Sequence, residues 1–301
     1  MTALGTAAAV IGGLVGLWLL VVLAVARFSL HPPRIHQWVS PGFMGWPQET
    51  VYITTADGVK IHAWWTAGRS DETVVVCFHG YLANRSEFVP LLARWGATGA
   101  SFLFIDHRGH GRSGAAKVTL GRNEAYDAAA ALAWVREQRP GAKVVALGGS
   151  MGAVAAIRAV AENPALADAL VLDAPYRTLH EASLNWWGFL AGGLLGALMR
   201  PMTPLSRFLL GFDPKSVDME ADLRSIQTRS PKPVFLTYGE ADTIVPPASR
   251  QAVRAAAGDR VTYFEFAGAT HGAGRLQDPA QFVGGVLDFL RAHGLLTATP
   301  D

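Results

Sequence analysis

One cysteine stands in the whole chain, Cys77, so no disulfide can close within it. It lies in the apolar run Thr73 to Phe78, where a buried, unreactive thiol is expected. Charge is also scarce: 26 Lys and Arg against 24 Asp and Glu leave a net charge of +2. With no basic cluster and no aromatic-basic ladder, that balance argues against a nucleic-acid partner. Metal ligands are thin as well. Asp106, His107 and His110 stand close together, but no further carboxylate or histidine cluster supports them, and a loop braced by Asp–Arg contacts is expected instead. Nothing in the pattern calls for a cofactor.

Charge is missing altogether from Ala3 to Ala26. At 1.5 Å per residue such a run spans a hydrocarbon core as a helix. Ala24-Val25-Ala26 would suit signal cleavage, yet no Lys or Arg precedes the run and it exceeds the usual signal length. An uncleaved single-pass anchor over residues 1–30 is therefore expected. Arg27 and Arg34 follow the span, which by the positive-inside rule puts the remainder on the cytoplasmic side. Residues 31–50, with Pro32, Pro33, Pro41 and Pro47, read as a stalk packed near the membrane surface.

What is present is an alternation of strands and helices over residues 51–301. Half of the residues are apolar, enough for the core of one large α/β domain. Val51 to Thr54 and Val59 to Thr66 flank an Asp57-Gly58 turn, with His62 on the solvent side of its strand. The wholly apolar strand Thr73 to Phe78 belongs inside a sheet covered on both faces, and Asn84 to Trp95 follows as a helix. Strands Ser101 to Ile105, Val144 to Leu147, Ala169 to Leu172, Pro233 to Tyr238 and Arg260 to Phe266 complete the sheet. Helices are expected at Asn123 to Arg139, Ala153 to Ala161 and Pro279 to His293.

The chemistry centres on Gly148-Gly149-Ser150-Met151-Gly152, a G-x-S-x-G between strand and helix. A serine at such a turn projects Oγ above the sheet edge, and the Met151 amide sits at a helix N-terminus that favours negative charge. The pattern alone would also suit a glycine-rich turn with a capping serine. The residues after later strands decide. Asp242 follows Pro233 to Tyr238, and His271 follows Arg260 to Phe266. Strand ends of a parallel sheet open on one edge, so Ser150, Asp242 and His271 converge there in the chain order of α/β-hydrolases. Asp173, at the end of its own strand, competes with Asp242 for the acid role, and Asp242 is preferred. His79 is read as a turn residue bonding its loop. The Tyr81 amide, just past a strand end, and the Met151 amide are the expected oxyanion donors.

Residues 176–230 break the rhythm and read as an inserted helical lid. Its centre, Leu184 to Met199, has no charge and only Asn185 as a distinctly polar side chain, with Gly192-Gly193 bending it. Sixteen residues are short for a span, so a buried or interfacial helix pair fits better. It reads either as ordinary lid core or as an acyl-binding surface, with Trp186 and Trp187 as the substrate-binding candidates.

These motifs carry a resemblance. His79-Gly80, Asp106-x-Arg-Gly-His-Gly-Arg-Ser, Gly-Gly-Ser-Met-Gly, the Gly-x-x-Asp-x-x-Val-Pro around Asp242, and Thr270-His271-Gly272 are together similar to those of the α/β-hydrolase superfamily. Within it the chain resembles the membrane-anchored Bem46-like and serine aminopeptidase-like (S33-type) hydrolases. That resemblance implies a mostly parallel sheet flanked by helices and a Ser-His-Asp hydrolase, without fixing whether an ester, thioester or amide is cut. Relatives often carry a small residue or Asn after the His-Gly pair, where this chain has Tyr81, a bulk expected to narrow the pocket. A carboxylic ester or thioester substrate is preferred. An aminopeptidase would need an acidic anchor for the substrate amine, and Glu181, Asp218 and Glu220 show no clustering.

Overall fold

The interior strand Thr73–Phe78 (β3) shows why the sheet is covered on both sides. Val74, Val76 and Phe78 enter one hydrophobic cluster, while Val75 and Cys77 enter the other across the sheet. Burial pushes the Cys77 thiol well above its ordinary range, which keeps it inert. The chain is described here from a computed structural model covering residues 2–70, 72–95, 98–199, 207–208 and 211–296. The remaining strands are Glu49–Thr54 (β1), Lys60–Thr66 (β2), Ser101–Ile105 (β4), Lys143–Gly149 (β5), Ala169–Asp173 (β6), Val234–Gly239 (β7) and Val261–Phe266 (β8). They form an eight-stranded sheet in the order β1-β2-β4-β3-β5-β6-β7-β8. Only β2 runs antiparallel to its neighbours; from β4 to β8 every pairing is parallel.

The first cluster is closed by helices Glu124–Gln138 and Met151–Glu162. Ala128, Ala131, Ala153, Ala155 and Ala156 let these helices approach each other and the sheet closely. Helix Met219–Arg229, within the stretch read as lid, also packs here, with Leu223 and Ile226 fully buried. The second cluster is closed by Pro279–Ala292, through Phe282, Val286 and Phe289, and by the Val89–Trp95 segment.

Three readings need correction or refinement. Asn84 to Trp95 is not one helix: only Val89–Leu91 is a 3₁₀ turn and Leu92–Trp95 a short α-turn. Pro90 has no N–H to give a continuous α-helix, and Asn84, Arg85 and Ser86 spend their side chains on the passing chain instead. Asn84 Nδ2 donates to the Ile35 and His36 carbonyls at 3.0 and 3.1 Å, and Ser86 Oγ donates to that of Val39 at 2.7 Å. The stalk stretch is accordingly laid along the domain, and Met44 and Trp46 pack against the second cluster.

His62 is the second correction. It is buried, not solvent-facing, because the loop after β4 folds back over β2. Its amide donates to Ser113 Oγ at 2.8 Å, and its ring meets that of Tyr52, its cross-strand partner, edge-on at 5.0 Å. Burial, aided by the Arg85 charge, lowers its pKa to about 4. The unfolded chain would bind that proton near pH 6.5, so this term is fully favourable above that value and declines as pH falls toward 4. A titratable group of this kind steepens the pH dependence by about 1.4 kcal/mol per unit. His62→Gln is therefore expected to flatten the fall of thermal midpoint between pH 6.5 and 4, measured on the folded chain in detergent. An unchanged slope would contradict the buried neutral imidazole.

The third concerns the N-terminus and the insertion. Ala3–Leu30 is a single helix, long and apolar enough to cross a membrane by length and composition. Leu179–Met199 is helical but broken at Gly192 (φ 70°, ψ −178°), where the glycine pair was expected to bend it.

Candidate active site

The strand β5 ends in Gly149, and Ser150 turns into helix Met151–Glu162 with φ 47° and ψ −113°. That region is sparsely allowed for a side chain, so the surroundings must hold it. They do so through the backbone: the Ser150 amide donates to the Asp173 carbonyl at 2.7 Å, and the Ser150 carbonyl accepts from Val154 at 3.1 Å. Close approach does the rest. A Cβ at Gly152 would overlap the Phe78 carbonyl, and one at Gly148 would lie 2.5 Å from the Ala153 nitrogen. Strand β3, strand β5 and the helix can meet only because both positions are glycine.

His271 reaches this serine from the loop after β8. Its Nε2 lies 2.8 Å from Ser150 Oγ, and its Nδ1 lies 2.8 Å from Asp242 Oδ2. An ionised carboxylate only accepts, so the shared proton belongs on Nδ1 and Nε2 offers its lone pair to the serine hydroxyl. Asp242 Oδ1 accepts from the amides of Ile244 and Val245 at 2.8 and 3.0 Å, which fixes the carboxylate's orientation. The acid and histidine loops are knit together by Ala241 N to Ala269 O at 2.9 Å. Asp242 is buried, whereas Ser150 and His271 remain partly open to solvent. Such a chain can withdraw a proton from Oγ as it attacks and return it to a leaving group.

Asp173, the competing carboxylate, does not face His271. Its Oδ2 accepts from Arg275 Nε at 2.8 Å and its Oδ1 from Thr237 Oγ1 at 3.0 Å. Arg275 also pairs with Glu87, whose Oε2 accepts from the Gly80 amide at 2.7 Å. Burial raises the Glu87 carboxyl above its usual range while the Arg275 charge opposes that. This Glu87–Arg275–Asp173 bracket braces the elbow and the His79-Gly80 turn from behind, and no sequence pattern announced it.

His79 does what a turn residue can. Its Nδ1 donates to the Gly80 carbonyl at 2.7 Å, and its Nε2 accepts from the His107 amide at 2.9 Å. Burial, with the neighbouring His107 and His110 adding to it, holds His79 neutral. Asp106 takes the Arg85 amide at 2.9 Å, the Arg85 guanidinium and the Arg112 amide at 2.8 Å. Arg108 spans Asp127 and Asp57 at 2.8 and 2.6 Å. The loop is thus braced by Asp–Arg contacts.

Tyr81 follows the His79-Gly80 turn. Its ring meets those of His110 and Trp186 edge-on at 6.0 and 6.4 Å. Asn185 Nδ2 donates to the Ile244 carbonyl at 3.0 Å, tying helix Leu179–Met199 to the loop that carries Asp242. As the only distinctly polar side chain of its apolar stretch, Asn185 carried a signal in the sequence. The Trp187 side chain lies outside the described residues.

Comparison with known proteins gives the family of the chain. The family model for serine aminopeptidase, S33, matches residues 69–228, more than half of the chain. The chain belongs to that family. An esterase of Pyrococcus furiosus superposes on this hydrolase with a TM-score of 0.72 at 26% identity, over 88% of this chain and 98% of the esterase. An uncharacterised protein of Mycobacterium tuberculosis is 29% identical over 251 residues, covering 82% of this chain and 80% of its own. The monoacylglycerol lipase of Mycolicibacterium smegmatis is 32% identical over 127 residues, 41% of this chain and 45% of the lipase. The chain is an α/β-hydrolase with esterase-like and lipase-like relatives.

Proposed function

We propose that the protein is a membrane-anchored serine hydrolase that cleaves a carboxylic ester or thioester through an acyl-enzyme on Ser150. The observation that carries this reading is the unbroken chain of contacts Ser150–His271–Asp242, both links at 2.8 Å. His271 takes the Ser150 proton as Oγ attacks the acyl carbon, then delivers it to the departing alcohol or thiol. Water repeats the sequence on the acyl-enzyme and frees the acid. Asp242 holds the histidine tautomer and balances the imidazolium. The amides of Tyr81 and Met151 receive the developing oxyanion. Trp186 lines the acyl side of the mouth. Helix Ala3–Leu30 is the anchor, with the catalytic domain on the cytoplasmic face. Arg34 keeps its charge beside the helix end while its guanidinium donates to the carbonyls of His110, Gly111 and Ser113 at 3.3, 2.7 and 2.7 Å.

An ester is favoured over an aminopeptide because the acidic residues of the lid region are already engaged. Glu220 is paired with Arg177 and Arg224, Glu181 accepts from Ser249, and Asp218 caps the helix it precedes. The test is a panel of p-nitrophenyl esters of increasing acyl length beside an aminoacyl anilide, with wild-type protein and Ser150→Ala. Ester turnover that disappears in the variant, with no anilide cleavage, is expected. Preferred anilide cleavage would make the protein an aminopeptidase, and undiminished ester turnover in Ser150→Ala would remove the acyl-enzyme.

A further inference from the structure

The N-terminal helix is longer than a span requires. Its 28 residues reach about 42 Å at 1.5 Å each, about 12 Å more than a hydrocarbon core. Toward its C-terminal end one side of the helix is covered by the domain. Val22 is wholly covered, while Leu19, Leu20, Val21 and Leu23 around it are 43–65% exposed. Trp18, Val25, Ala26 and Ser29 are partly covered. Those positions recur at helical spacing and form one face, so the covering is directional.

The end of the helix is more telling. A helix leaves its last four carbonyls without internal partners, and a free tether would turn them to water. Here they are met by the domain instead. Arg27 O accepts from His31, Phe28 and Ser29 carbonyls lie 3.4 and 3.2 Å from the Tyr81 hydroxyl, and Leu30 O accepts from the Val118 amide at 2.9 Å. Two donors of the catalytic domain, the single Tyr81 hydroxyl proton and the Val118 amide, therefore hold the end of the helix. Burial pushes the Tyr81 hydroxyl up to about 12, so it stays a donor across the working range. Directly after it, Leu82 holds φ 58°, a strained conformation for a leucine that the surroundings must maintain.

We infer that the last turns of the N-terminal helix form one wall of the active-site mouth and hold the Tyr81 loop in place, so that the mouth lies against the bilayer and takes acyl esters dissolved in it. This rests on the serine-hydrolase reading above, in which the Tyr81 amide is an oxyanion donor. One residue then carries both ends of the link: the hydroxyl is held by the anchor, and the amide faces the reacting carbonyl. Tyr81 is a positioning residue through its ring as well as a donor through its backbone. The membrane-embedded part of the helix is its N-terminal portion, and Trp186 stands beside Tyr81 on the side from which a chain would enter.

The full chain reconstituted in phosphatidylcholine vesicles tests this with three variants. Tyr81→Phe removes the hydroxyl alone. Val22→Trp keeps the helix apolar but cannot fit the covered face, and Leu20→Trp makes the same change on the exposed face. Substrates are p-nitrophenyl acetate in solution and p-nitrophenyl palmitate dissolved in the bilayer. Tyr81→Phe should lower kcat on both esters about tenfold with KM for the acetate held, the signature of a loosened oxyanion donor rather than lost binding. Val22→Trp should resist carbonate extraction like wild type, yet lose palmitate turnover at least about fivefold more than acetate turnover. Leu20→Trp should match wild type. Hydrogen exchange at Tyr81 to Arg85 should rise in Tyr81→Phe and Val22→Trp only, whether or not the protein turns over. Wild-type exchange and wild-type palmitate rates in both variants, or equal losses in Leu20→Trp and Val22→Trp, would overturn the inference. Loss of protection without any fluorophosphonate labelling of wild type would instead leave the docking standing and remove the hydrolase reading.

Discussion

Asp242→Asn is expected to lower kcat by about 10⁴, the loss seen when a triad acid can no longer hold the histidine tautomer. Asn would present an amide to His271 Nδ1, now 2.8 Å from Asp242 Oδ2, and the imidazole would turn its proton toward Ser150 instead. The backbone amides of Ile244 and Val245 would still find the side-chain oxygen, so folding should survive. Asp173→Asn is the matched control. It faces Arg275 and Thr237 and should lose far less activity while losing stability. Steady-state ester hydrolysis with both variants decides between them. A larger loss for Asp173→Asn would move the acid to the earlier strand.

Arg275→Met should destabilise the domain by about 3–5 kcal/mol, the range for a buried charge pair broken from one side. Arg275 is only 8% exposed and lies between Glu87 and Asp173. Without it, two carboxylates face each other behind the elbow with no cation, and Glu87 would take up a proton. Its hold on the Gly80 amide would then change, and the Tyr81 loop with it. Denaturant unfolding of the purified chain should show the loss. Adding Glu87→Gln to Arg275→Met should recover part of it by removing one of the stranded charges. A neutral Arg275→Met would mean that the bracket does not brace the turn.

The strands and the three candidate catalytic side chains were legible because they depend on local pattern. β3 is unbroken apolar sequence, Ser150 lies in a glycine frame that two backbones force, and Asp242 and His271 each follow a strand. The acid was less so, since Asp173 and Asp242 both stand after strands and only the third dimension shows which one His271 faces. What escaped was set by returns of the chain. His62 alternates like a solvent-facing residue, but a loop more than forty positions later covers it. Glu87 and Arg275 are far apart in sequence and meet only because β3 and β8 end on the same edge. The Tyr81 hydroxyl looked like bulk narrowing a pocket, and in the fold it reaches the end of a helix fifty residues earlier.

The central claim is that Ser150 is the nucleophile, and the most direct measurement is mass mapping of a fluorophosphonate adduct on the full chain in detergent. A single added mass on the peptide carrying Gly149-Ser150-Met151 is expected, absent in Ser150→Ala and much slowed in His271→Ala. An adduct on any other residue, or undiminished labelling of Ser150→Ala, would contradict the account.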